Sequence, residues 1–408
     1  MWLAVCTGTR HASTVANAAF SSYFFHNGQW LASKSTPLSH PPLLRLNQPL
    51  PPRVPTSAFK KVEISSLSQL LGIYTQLSKP HLSILVCLTA MGGVALSPLP
   101  TTIPTLLSTA VGTALCASSA NAFNMLQEVP FDAQMARTRS RPLVRKAISP
   151  LHATMFAVAT GVAGPALLWT MVNPTTAILG LSNIVLYAGI YTWMKRKSVW
   201  NTWVGAIVGA IPPAMGWTAC GGQLFPPISS SFPIFLPEFL SSSPVDISVL
   251  DSPLAPFVLP MLLFSWQFPH FNSLSYFVRG SYAQACYRML SVLDPQKNAL
   301  VALRHAILLT LICSIAVPLS GLTTWTFTLT SLPLNLVCVQ AAWKWWEKQG
   351  GEKQARIVFR HSLWYLPLIL GLMMIHKRGV DWLQWIGVRE KKEEEVDTKL
   401  SLNTVNAR

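Results

Sequence analysis

The chain has 408 residues, half of them hydrophobic and only 11% charged, whereas soluble proteins carry about 25% charged residues. That balance excludes a soluble globular enzyme and identifies an integral membrane protein. The net charge of +16 does not make a nucleic-acid binder, because the basic residues sit in short loops between apolar runs, the pattern that orients membrane spans.

Residues 1–62 contain no acid, while Arg10, Lys34, Arg45, Arg53, Lys60 and Lys61 supply positive charge among frequent Ser, Thr and Pro. This is the composition of a mitochondrial transit peptide, so roughly residues 1–60 are set outside the fold. From Pro80 onward, apolar runs follow near 81–98, 103–126, 150–171, 176–194, 201–218, 252–271, 299–318, 322–342 and 359–375. They predict an all-α bundle of nine transmembrane helices, with residues 80–376 as the membrane domain. Residues 219–250, rich in Ser and Pro and free of Lys and Arg, read as an inserted loop, and residues 377–408 as a mixed-charge tail. Loops after even-numbered spans carry Lys and Arg, and loops after odd-numbered ones carry none. By the positive-inside rule the basic face is the matrix face of the inner membrane. Seven cysteines (Cys6, Cys87, Cys116, Cys220, Cys286, Cys313, Cys338) are scattered without C-x-x-C and signal neither a disulfide framework nor a zinc site.

The most informative stretch is Asn121 to Lys146. Between Glu63 and Glu238 the chain has two acids, Glu128 and Asp132, four residues apart, and Asn124 lies four before the first. On a helix these three side chains share a face, about 6 Å apart along the axis. Pro130 lies inside the motif, so the helix is expected to kink or end there and Asp132 to reach the site from a loop. Arg137, Arg139, Arg141, Arg145 and Lys146 follow. Carboxylates at a span end facing a basic cluster suit a divalent cation with a multiply charged anion such as diphosphate. A plain membrane-surface ion pair is the structural alternative, and the isolation of the two acids argues against it.

Two later loops hold the other polar motifs. In Tyr191–Gly216, Lys195 and Arg196 stand where a span meets the basic face, and Asn201, Gly205 and Gly209 form a small-residue stripe for close helix approach. In Ser265–Met289, His270 follows Pro269 at a span end. It is either a structural histidine or a neutral imidazole metal ligand.

In N-x-x-x-E-x-x-x-D, MARTRSRPLV, YTWMKR, GAIPPAMGW and SWQFPHF the chain resembles the protohaem IX farnesyltransferases (haem O synthases) among the UbiA-type intramembrane prenyltransferases. ALRHAILL, TTWTF and SLWYLPL add to the likeness, which covers about residues 80–378. The resemblance implies a nine-helix bundle around a cavity open to the membrane. It also implies farnesyl transfer from farnesyl diphosphate to a vinyl group of haem B, giving haem O for cytochrome oxidase. Carried over, Asn124, Glu128 and Asp132 hold Mg²⁺ on the diphosphate, and Arg137, Arg141, Lys195 and Arg196 neutralise its oxygens. Tyr191 and Tyr282 join the site through the same motifs; His270 and Arg279 position haem by iron ligation and propionate pairing. Partners implied are the lipid bilayer, haem A synthase and oxidase assembly factors, and no nucleic acid.

The chain departs from that family before Tyr282, where members usually carry an acid and Gly280 and Ser281 stand here. The superfamily commonly uses a second carboxylate cluster there for a second Mg²⁺. Asp294 is the only acid nearby, and weaker Mg²⁺ affinity is expected. Two other readings compete: a transferase acting on another aromatic acceptor, and a non-catalytic haem-binding or transport protein with Glu128 and Asp132 as an ion site. The haem-branch motifs speak against the first. The lack of a second copy of the Asn124 motif speaks against the second.

Overall fold

Side-chain caps and prolines set the helix starts. Thr102, Ser149, Asn173 and Asp294 each accept a hydrogen bond from the backbone N–H three residues on, and each is followed by proline within the first helical turn. Such caps satisfy a donor the helix leaves unpaired, and proline there gives up an N–H that had no partner. The computed structural model describes residues 66–225, 235–237 and 252–379. The expected transit peptide, most of the 219–250 insertion and nearly all of the tail lie outside the described residues.

The described residues form helices α1 (Leu67–Ser78), α2 (Pro80–Leu96), α3 (Ile103–Asp132), α4 (Pro150–Met171) and α5 (Pro174–Ile184). α5 runs on through a π-helical stretch, Val185–Tyr191, and a last turn, Thr192–Met194. There follow α6 (Asn201–Ala219), α7 (Ala255–Phe277), two short helices, α8 (Arg279–Gln284) and α9 (Leu290–Leu293), and then α10 (Pro295–Leu311). A second π-helical stretch, Ile312–Ala316, extends α10, and α11 (Thr326–Glu347) and α12 (Glu352–Ile375) complete the bundle. Among the described residues, helices stand at every predicted span. By length and composition, however, five can cross a membrane, or six if α1 and α2, bent by 58°, count as one. The expected nine spans are therefore not established. Polar residues such as Gln267, His270, Asn272 and Ser273 dilute α7, and Asn201 with Pro212 and Pro213 does the same in α6.

α3 packs along α4, α2 along α6, and α7 is flanked by α6, α10 and α12. The α2–α6 crossing is backbone on backbone: a Cβ at Gly216 would lie 1.9 Å from the Ala90 carbonyl oxygen, and one at Gly93 would lie 2.2 Å from that of Pro213. Only glycine permits that approach. The largest core cluster joins Trp217, Leu262, Leu309, Phe327 and Tyr365 from five helices. Outward, Leu85, Leu107, Val162, Trp169, Leu329 and Leu363 are exposed, an apolar surface far larger than a soluble monomer shows and suited to lipid.

Candidate active site

α3 passes through Pro130 and ends on Asp132. The helix stops near the proline as expected, but Asp132 is its last residue and does not reach in from a loop. Three successive turns of one face thus carry Asn124, Glu128 and Asp132, at 1%, 4% and 1% exposure. Burying two carboxylates requires partners, and the surrounding elements provide them. Lys195 Nζ donates to Glu128 Oε1 at 2.5 Å. Arg141 donates to Asp132 Oδ2 and lies 3.6 Å from Glu128 Oε2. Lys79 Nζ donates to Asn124 Oδ1 at 2.8 Å, while Asn124 Nδ2 donates to Thr192 Oγ1 at 3.0 Å.

Each basic group is positioned by local structure. After Asp132 the chain folds back in turns, with Thr138 Oγ1 donating to the Asp132 carbonyl at 2.9 Å. That turn returns Arg141 beneath the helix end. Lys79 sits at the bend between α1 and α2 with φ 48°, a left-handed conformation uncommon for a residue with a side chain. The turn holding Lys195 is tied to the α8–α9 region, where Arg288 N donates to the Lys195 carbonyl at 2.9 Å and Asn201 Nδ2 to the Arg288 carbonyl at 3.1 Å. Burial pulls the Lys195 ammonium down, but the Glu128 carboxylate outweighs it and holds the group above its ordinary value. Burial likewise opposes the Arg141 charge, and Asp132 and Glu128 more than restore it.

The π-helical stretch of α5 forms the aromatic wall. Its wider turn brings Tyr187 and Tyr191 into a stack at 5.3 Å. The freed carbonyls find partners: Gln127 Nε2 donates to Ala188 and Thr192 Oγ1 to Tyr187, both at 2.8 Å. Lys195 lies 4.6 Å over the Tyr191 ring and 6.0 Å over Tyr287. The predicted stripe on α6 seats side chains more than a helix backbone. A Cβ at Gly205 would strike the Tyr191 ring at 2.9 Å, and one at Gly209 would strike Gln267 at 2.4 Å. Tyr282 is buried on α8, 5.9 Å from Tyr287, whose hydroxyl is itself buried without a hydrogen-bond partner among the described residues.

Of the expected site residues, the structure brings together Asn124, Glu128, Asp132, Arg141, Lys195 and Tyr191, with Tyr282 behind them. Arg137 and Arg196 are placed apart. Arg137 is exposed in the turn after α3, and Arg196 is exposed with its guanidinium 4.3 Å over Phe131. Neighbouring Lys195 and Arg196 leave the chain in different directions, so only one can enter the pocket. Arg279 lies over Tyr276 at 3.9 Å, and His270 lies on α7 facing α12. Asp294 caps α10 by accepting from Lys297 N at 2.9 Å, so it is engaged and does not reach back toward Tyr282. Lys79, Tyr187, Thr192 and Tyr287 were not anticipated.

A divalent cation fits this donor set. Among the described residues Asp132 Oδ1 is buried without a hydrogen-bond partner, beside Glu128 and the Asn124 amide. Among the described residues no three His, Cys, Asp or Glu side chains converge, so a metal would rest on two carboxylates and an amide. Mg²⁺ is commonly held by one or two carboxylates and completes its shell with water and substrate phosphate. Arg141 and Lys195 balance the two carboxylates, and Lys79 adds a further basic group on Asn124.

Comparison with known proteins identifies relatives of this chain. The UbiA prenyltransferase family profile matches residues 85–364. A Gibberella zeae protein named "Protoheme IX farnesyltransferase, mitochondrial" is 39% identical over 89% of this chain and 73% of its own length. Proteins of the same name from Yarrowia lipolytica and Homo sapiens are 43% and 44% identical, over 78% and 75% of this chain. The chain spans 65% and 62% of those two relatives' lengths. Among solved structures, a digeranylgeranylglyceryl phosphate synthase aligns with TM-score 0.57 and 13% identity, over 76% of this chain and 99% of its own. A UbiA homolog from Aeropyrum pernix K1 gives 0.53 and 19%, over 72% and 97%. These two likenesses concern the fold.

Proposed function

The chain belongs to the UbiA prenyltransferase family, and on that premise we propose that it transfers the farnesyl group of farnesyl diphosphate to a vinyl group of haem B. The observation that carries this reading is the agreement of two facts. Relatives 39% to 44% identical bear the protohaem farnesyltransferase name, and the buried Asn124–Glu128–Asp132 face is ringed by Lys79, Arg141 and Lys195.

The chemistry follows from these groups. The bond between the allylic C1 and the diphosphate oxygen breaks, and the leaving group departs with the electron pair. Lys79, Arg141 and Lys195 lie where that charge collects and stabilise it. Asn124, Glu128 and Asp132 would hold Mg²⁺, which when bound supplies further neutralisation of the diphosphate. Tyr187, Tyr191 and Tyr287 wall the pocket, shielding the allylic cation from water with ring faces that favour positive charge. The vinyl terminus of haem B bonds to C1, water adds to the haem-side carbon, and a proton is released. Haem O and diphosphate result. The names of the relatives support a mitochondrial membrane, and the loop charges support the matrix side of the inner membrane as the place of reaction. Haem O would then pass to the oxidation step that makes haem A.

Complementation of a cell lacking haem O synthase tests this reading, with extracted haems separated by chromatography. Haem O or haem A restored by this chain and lost in Glu128→Ala/Asp132→Ala is the expected result. Haem B alone, with the protein present in the membrane, would reject it.

A further inference from the structure

Lys79, Arg141 and Lys195 meet the charge of the diphosphate, and one polar group beside them is left without a task. Tyr287 is 4% exposed, and its hydroxyl is buried with no hydrogen-bond partner among the described residues. No other tyrosine hydroxyl among them is in that state. Elsewhere the chain partners its phenols: Tyr365 donates to Asn335 Oδ1 at 2.5 Å, and the Tyr74 hydroxyl lies 2.6 Å from His152 Nε2. A buried donor without an acceptor has given up its bond to water and gained nothing in return. A bound ligand can supply the missing acceptor.

The backbone sets this phenol beside the ion cluster. Cys286 is left-handed, with φ 54°, and Tyr287 N donates back to the Tyr282 carbonyl at 2.9 Å. That turn reverses the chain after α8. Arg288 N then donates to the Lys195 carbonyl at 2.9 Å, so Tyr287 is tied to the turn that carries Lys195. The Lys195 ammonium stands 6.0 Å from the centre of the Tyr287 ring. Phe131, the residue before Asp132, meets the ring at 6.0 Å. Burial pushes the phenol above its ordinary range, and the Glu128 and Asp132 carboxylates push it the same way against the pull of Arg141. The hydroxyl therefore keeps its proton and can donate.

Asp132 Oδ1 is the matching case on α3, a buried acceptor without a donor among the described residues. The two do not bond each other. A ligand that satisfies both must bring a cation to the carboxylate and an anionic oxygen to the phenol, and a metal diphosphate carries both. A carboxylate on the α8 side could reach the diphosphate only through another cation, because an ionised carboxylate accepts and does not donate. A phenol donates to the oxygen itself.

We propose that Tyr287 is a further catalytic residue, its hydroxyl donating a hydrogen bond to a diphosphate oxygen that strengthens as the C1–O bond breaks. The proton stays on the phenol throughout. This rests on the diphosphate reading given above. The test is Tyr287→Phe in the full chain in lipid nanodiscs, read by melting temperature without ligand, by calorimetric titration with inorganic diphosphate and Mg²⁺, and by turnover. The melting temperature should equal or exceed that of the parent, because the change removes a donor that had no acceptor. Tyr365→Phe, which strips a partnered phenol, should melt lower. Inorganic diphosphate carries the charge the leaving group acquires, and Tyr287→Phe should bind it about tenfold more weakly. Turnover should fall by about 10- to 100-fold, with a smaller change in the farnesyl diphosphate KM. Equal diphosphate affinity or equal turnover in the two proteins would overturn the inference. So would a lower melting temperature in Tyr287→Phe, since the hydroxyl would then have a partner within the protein. A parent chain that binds no diphosphate in the presence of Mg²⁺ would reject the functional reading itself.

Discussion

The two walls of the pocket are built on opposite plans. The α3 wall concentrates charge: two buried carboxylates and an amide, each met by a basic side chain from a different element. The α8 wall opens on Arg279 and carries no carboxylate. Gly280 and Ser281 precede Tyr282, Tyr287 faces Lys195 with its ring, and Asp294 is engaged as a helix cap. Where a second carboxylate group would hold a second cation, this chain offers hydroxyls and aromatic faces. On the proposed reading, neutralisation of diphosphate falls to Lys79, Arg141, Lys195 and a cation on the α3 wall.

Lys195→Met should break this asymmetry most severely. It leaves Glu128 buried without its closest partner, a change costing about 3–5 kcal/mol where the surviving charge stays unpaired. Thermal unfolding in detergent should show a clear loss of stability, and Glu128→Gln added to it should restore part of that loss. Lys79→Met should act more narrowly, raising the farnesyl diphosphate KM about tenfold through one lost charged hydrogen bond. Its melting temperature should stay close to that of the parent. Ser281→Asp sharpens the comparison in the other direction by giving the α8 wall a carboxylate. The Mg²⁺ concentration for half-maximal activity should fall, and an unchanged value would show that this wall does not meet the metal. Arg137→Gln and Arg196→Gln should be the quietest. Both residues lie outside the ion cluster, so turnover and KM should stay within about twofold, as for surface charges generally.

The same contrast explains what could be read from residue order. Asn124, Glu128 and Asp132 stood out because the surrounding sequence excludes acids, so their spacing had little competing explanation. The basic partners lacked that advantage. Arg137, Arg139 and Arg141 look alike in sequence, and only the turn anchored by Thr138 on the Asp132 carbonyl decides which returns to the helix end. Lys195 and Arg196 are adjacent, yet one is buried on Glu128 and the other lies exposed over Phe131. Lys79 is hidden in the sequence because a lysine before a span resembles an orientation signal, and its left-handed backbone leaves no mark there. Pro130 was expected to release Asp132 into a loop; the helix lost one donor and continued two residues further. Helix positions were legible from the apolar runs. The number that cross the bilayer was not, because α6, α7 and α11 carry polar residues that face the interior of the bundle.

The most direct measurement is product analysis with the purified protein in lipid, supplied with haem B, farnesyl diphosphate and Mg²⁺. The parent chain should release one diphosphate for each haem O detected by mass. Asp132→Asn removes a carboxylate charge while keeping the side chain's shape, and it should lower that rate by about 10²–10³. Haem O formed at equal rates by both proteins would contradict the account, because the buried α3 carboxylates would then have no part in the departure of diphosphate.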